Sequence, residues 1–206
     1  MKRSWGSMLG VAAFVIALPA QAALLNFFVN LSGNNEVPPT GSPATGVASL
    51  TLDTLTNDLT GHIEFSGLVD ITTAAHIHCC LTNPFQTGQN VGVATVVPAF
   101  PGFPLGVTHG VDDFVLDLNN PNSYNQAFLS MPVFGGSFAA AEAAFINGLE
   151  TGRTYLNIHT RGPAQGGVGF PGGEIRGFVV PEPMTASLIV AGFAAAGFAS
   201  RRRKRT

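Results

Sequence analysis

The chain has 206 residues and a formal net charge of −2, a balance that hides how the charge is laid out. Lys2 and Arg3 stand at the start and five basic residues at the end, leaving three arginines, no lysine and eleven acids in residues 23–180, a net charge of −8. A stretch that acidic repels phosphate backbones, which excludes nucleic acid as a partner and suits loose attraction of cations outside the cell.

Both ends read as address segments. Residues 1–22 form a signal peptide: a basic start, an apolar run over residues 8–18 that is too short to span, and the small-x-small pattern Ala20-Gln21-Ala22, with cleavage after Ala22 or Ala23. At the other end Val180-Pro181-Glu182-Pro183 is a double-proline break. Residues 184–200 follow, apolar or small and uncharged, at the lower edge of what spans a bilayer. Arg201, Arg202, Arg203, Lys204 and Arg205 close the chain and should stay cytoplasmic, leaving the main domain outside. These three parts in order, over residues 181–206, resemble the PEP-CTERM sorting signal of Gram-negative bacteria. The resemblance implies a transmembrane helix before processing and cutting near Pro181, Glu182 and Pro183 by an exosortase-type membrane peptidase. It also implies delivery to the cell surface or extracellular matrix. A permanent inner-membrane anchor would use the same residues.

Residues 23–180 are one domain's worth, enough to bury a core without disulfide support. In residues 24–31, Leu25, Phe27, Val29 and Leu31 alternate with polar positions, the mark of a half-buried strand. A turn and an extended proline segment, Asn34-Asn35-Glu36-Val37-Pro38-Pro39, come next. Residues 45–53 and 59–65 read as strands joined by a turn at Thr56-Asn57-Asp58, with His62 and Glu64 outward. Residues 91–97 are β-branched and predict a strand. Residues 98–110 are too rich in proline and glycine for regular structure. A short strand is expected over residues 114–118 and a loop over 119–136. One helix is predicted over residues 139–149, N-capped by Ser137, with Phe138, Ala141, Phe145 and Leu149 on one stripe, covering a sheet edge or barrel mouth. Residues 155–160 and 174–179 alternate as the last strands. Many short strands and one short helix predict an all-β fold, an antiparallel Greek-key-like β-sandwich with long Pro/Gly-rich loops.

The densest chemistry lies in Ala75-His76-Ile77-His78-Cys79-Cys80. Extended, it puts His76, His78 and Cys80 on one face. The adjacent cysteines admit three readings: a vicinal disulfide, an intermolecular bridge, or metal ligation.

Glu36-Val37-Pro38-Pro39, Ala44-Thr45-Gly46-Val47-Ala48, Ala75-His76-Ile77-His78, Tyr155-Leu156-Asn157-Ile158-His159-Thr160 and Pro171-Gly172-Gly173-Glu174-Ile175-Arg176-Gly177 occur in the order seen in CHRD domains. The resemblance covers nearly all of residues 23–180 and implies an all-β sandwich with no settled biochemical function. Cys79-Cys80 stands where that family usually carries a Gly-Pro-type turn.

The expectation is an exported surface or matrix protein, a binding or structural module rather than an enzyme, whose partners include matrix polysaccharide or a surface protein. The alternative is a metal-binding secreted protein, with redox chemistry as its extension. His76, His78, His159 and Cys80 would then hold copper or zinc, with Glu174 and His62 as supporting residues. No nucleophile elbow or EF-hand pattern points to other chemistry.

Overall fold

The computed structural model describes residues 23–182. The signal-peptide reading and most of the sorting signal, with Pro183, Arg201, Arg202 and Arg203, lie outside the described residues. Among the described residues no helix is long and apolar enough to cross a membrane.

Among the described residues eight strands carry the fold: β1 Leu24–Ser32, β2 Thr45–Asp53, β3 Asp58–Ser66, β4 Thr72–Cys79, β5 Gly110–Asp117, β6 Thr154–Thr160, β7 Ile175–Phe178 and the two-residue β8 Val180–Pro181. Every strand pairing is antiparallel, in the order β4-β6-β7-β1-β2-β3-β5, with β8 beside β1. The expectation of antiparallel β-structure holds. Its division into two facing sheets does not describe these strands, because hydrogen bonds run unbroken from β4 to β5 and the one sheet curls into a half-barrel.

Alternation decides which face goes inward. Phe27, Val29 and Leu31 of β1, Ala48, Leu50 and Leu52 of β2, and Leu59, Ile63 and Phe65 of β3 are all buried in one core. Gly61 sits on the same inward face opposite Phe114 of β5, and a Cβ there would collide with the Phe114 ring. Phe114 in turn stacks on Phe100 at 4.2 Å between ring centroids. The Pro/Gly-rich segment before β5 therefore contributes core aromatics, although it forms no regular element. The β2–β3 turn places Asn57 at φ 57°, a conformation that asparagine tolerates better than most residues.

Two further expectations are corrected. Residues 91–97 form isolated bridges instead of a strand. Their backbone groups are divided between β4, where Ala94 donates to Ile77, and the segment after β5, where Val96 donates to Ser123. The expected loop after β5 contains a one-turn helix, α1 Gln126–Leu129, capped by the Asn125 side chain.

The predicted helix is α2, Phe138–Glu150, and Ser137 caps it by accepting from the Ala140 N–H at 3.2 Å. Its Phe145 and Leu149 are fully buried, and Tyr124 and Phe128 pack on Phe145. The helix crosses one end of the curled sheet. Glu142 accepts from Asn57 in the β2–β3 turn, and Gly148 lies against the sulfurs of Cys79 and Cys80. At the C-terminal limit, Pro181 belongs to β8 and Glu182 donates its N–H to Asn26 at 2.8 Å, so the first two residues of the expected sorting signal are docked on β1.

Candidate metal centre

Strands β4 and β6 are buried on both faces. Ala75, Ile77, Leu156 and Ile158 face the apolar core. The opposite face carries His76 and His78 of β4 and Tyr155, Asn157 and His159 of β6, because strand side chains alternate. Register puts His76 directly across from Asn157 and His78 across from Tyr155. Arg176 of β7 continues the row beside Asn157. Three loops close over these polar side chains. Val91 accepts from His78, Pro171 accepts from His159, and Asn90 and Gln89 accept from Arg176. Glu36 reaches in from the segment between β1 and β2.

The three imidazoles converge. Each of His76, His78 and His159 offers a ring nitrogen, and these atoms lie within 4.8 Å of one another. All three rings are almost sealed from solvent, with residue exposures of 5%, 8% and 9%. His78 Nδ1 lies 2.7 Å from the Val91 carbonyl oxygen and His159 Nδ1 2.9 Å from that of Pro171. A carbonyl only accepts, so both Nδ1 atoms carry the proton and donate it. In the neutral ring Nε2 is then a bare lone pair. Both Nε2 atoms point at the same atom, Asn157 Oδ1, at 3.0 and 2.9 Å. His76 lies directly across from the same residue, and its Nδ1 is buried without a partner.

Protons do not resolve this meeting of acceptors. Burial lowers the His76 pKa to about 3, helped by its two histidine neighbours, and lowers His78 to about 4. Burial also lowers the pKa of His159. Arg176 adds to the effect on His78: its guanidinium carbon stands 3.3 Å from the centroid of the Tyr155 ring, and His78 stacks on the same ring at 4.5 Å. Near neutral pH the face presents three uncharged imidazoles.

The remaining candidates stand elsewhere. β4 ends at Cys79, and the Cys80 sulfur is bonded to Cys79 beneath α2. The disulfide takes up both thiols, so the clustered donors are nitrogen only. Glu174 is fully buried but accepts from Ser42 Oγ, Val69 N and Thr160 Oγ1. His62 lies on the exposed face of β3, five places from β4 in the sheet order, with its ring nitrogens on Asp113 and Glu64. Those two carboxylates raise its pKa.

Sequence reasoning passed over two residues of the site. Asn157 was visible as the polar residue between Tyr155 and His159. Glu36 was visible as an acid before Pro38-Pro39, a placement that gives no hint of burial. It is 5% exposed, its Oε1 has no partner, and its carboxylate stands with the Asn157 amide nitrogen beside Gly173. Burial pushes its pKa up to about 7 against the opposing pull of Arg176.

The family model of the CHRD domain matches residues 27–179. The chain belongs to the CHRD domain family. The match begins in β1 and ends after β7, so the histidine face, Glu36 and Arg176 all fall inside the family's own domain. No curated protein and no solved structure matches the chain significantly.

Proposed function

We propose that this CHRD domain is an exported metal-binding module that holds a zinc or copper ion on His76, His78 and His159. The observation that carries the proposal is the pair of Nε2 lone pairs on His78 and His159, both aimed at one amide oxygen while their Nδ1–H groups are spent on backbone carbonyls. A cation placed among these atoms turns repulsion between acceptors into coordination. A ring that donates Nδ1–H to a carbonyl and presents Nε2 is also the usual arrangement of a metal-ligating histidine, since the outer hydrogen bond fixes tautomer and orientation. Three neutral imidazoles without thiolate suit zinc and copper better than calcium or magnesium, which prefer oxygen. The acidic surface favours cation capture in an extracellular setting.

Export rests on the two ends of the sequence: the signal pattern over residues 1–22 and the PEP-CTERM-like tail. In this reading an exosortase-type peptidase processes the tail, and the metal-loaded domain is delivered to the cell surface or matrix.

Mass action supplies the test. A ligand that binds only the folded state at one hundred times its Kd adds about 2.7 kcal/mol, roughly 5–10 °C in Tm for a domain of this size. The full exported chain, stripped with chelator, should gain a Tm shift of that order with zinc or copper and lose it again with excess chelator. Magnesium at the same concentration should leave Tm unchanged. Equal response to all three ions, or to none, would refute the site.

A further inference from the structure

The Asn157 side chain has two ways to sit among its neighbours, and they lead to opposite chemistry. With Oδ1 toward the imidazoles, the cluster consists of lone pairs alone. Turned over, the amide nitrogen would offer its two N–H groups to the two Nε2 atoms and close a neutral hydrogen-bond network with no demand for a cation. The imidazoles by themselves favour the turned state, so an inward Oδ1 has to be held by what lies on the other side of the amide.

Glu36 lies there. Its Oε1 is buried without a partner and flanks the same spot at Gly173 as the Asn157 amide nitrogen. The turned amide would press Oδ1 onto that carboxylate, setting acceptor against acceptor in a sealed site. Gly173, at φ 123°, makes the approach possible, since a Cβ there would collide with both the Glu36 carboxylate and the Asn157 amide. Burial raises the Glu36 pKa to about 7, and the Arg176 charge opposes that rise in favour of the ionised carboxylate.

Resting on the metal reading above, we propose that Glu36 is the positioning residue of this site: it holds the Asn157 amide with nitrogen outward and oxygen inward, and so converts a self-satisfied histidine cluster into one that demands a cation. Glu36 touches Asn157 and acts through it. The inward Oδ1 adds a neutral oxygen donor to the three nitrogens.

Two readouts on the full exported chain test this. In Glu36→Met the amide is free to turn. Zinc affinity, measured by competition with a chromophoric chelator, should fall at least tenfold, and Glu36→Gln, which keeps an acceptor oxygen, should recover part of the loss. In the metal-free protein, the nitrogen NMR signals of His78 and His159 Nε2 should move from the bare position in wild type to the hydrogen-bonded position in Glu36→Met. A merely structural Glu36 would not produce that movement. Wild-type and Glu36→Met chains that bind zinc equally, with unmoved Nε2 signals, would overturn the role of Glu36 and leave the metal site standing. A wild-type chain that takes up neither zinc nor copper would overturn both.

Discussion

Glu174→Leu should cost about 3–5 kcal/mol of folding free energy, the range seen when one partner of a buried charged network is removed. The carboxylate has no solvent exposure and accepts three hydrogen bonds, from Ser42 Oγ at 2.6 Å, Val69 N at 2.8 Å and Thr160 Oγ1 at 2.6 Å. These donors come from the segment before β2, the segment between β3 and β4, and the end of β6. One side chain thus ties together three parts of the chain that share no ladder. Leucine fills similar space but leaves three donors without an acceptor, and unmade buried bonds cost more than made ones contribute. Glu174→Gln keeps an acceptor oxygen and should cost about half as much or less. Urea unfolding reads this as a lower midpoint at unchanged slope. Zinc affinity of the folded Glu174→Leu chain should stay within a few-fold of wild type, because Glu174 is bonded to none of the three histidines. A loss under about 1 kcal/mol would contradict this account of the residue.

His76→Leu should behave in the opposite way. His76 Nδ1 is buried without a partner, and burial together with the neighbouring histidines makes the ring hard to protonate. Leucine removes that unmet donor or acceptor and packs as well, so the metal-free protein should be as stable as wild type or gain about 1 kcal/mol. Metal affinity should fall at least a hundredfold, since supporting residues alone are worth 10–100-fold and His76 is a direct ligand in this reading. Equilibrium unfolding in chelator, set beside a zinc titration, separates the two effects. If His76 serves only to fix strand register, the result reverses: the apo protein loses stability and no metal response changes.

The inward faces of β1, β2 and β3 were legible in the sequence because period-two alternation is a local signal and one side of these strands meets solvent. The helix over Phe138–Glu150 was legible for the same kind of reason, a capped apolar stripe. The single curled sheet was not legible, because strand order is set by pairings between distant segments, such as β4 with β6 and β3 with β5. Residues 91–97 had strand composition, yet their hydrogen bonds are split between two neighbours, which composition does not record. At the site, alternation placed His76, His78 and His159 on candidate polar faces. It placed Cys80 with them only on the assumption that the strand continues past Cys79, and it does not. Glu174 and Arg176 fall on the polar side of the last strand's alternation and are fully buried, because loops cover the outside of β6 and β7. Glu36 stands in the first of the CHRD-like motifs, but its approach to Asn157 was not legible, since the two are distant in sequence and the segment around Glu36 reads as a polar turn.

The most direct measurement is the metal content of the full chain after export to a periplasm, purified without an affinity metal, beside His78→Ala prepared in the same way. The account predicts close to one zinc or copper per wild-type chain and almost none in the variant. A folded wild-type chain that carries no metal and takes up none on titration would contradict it.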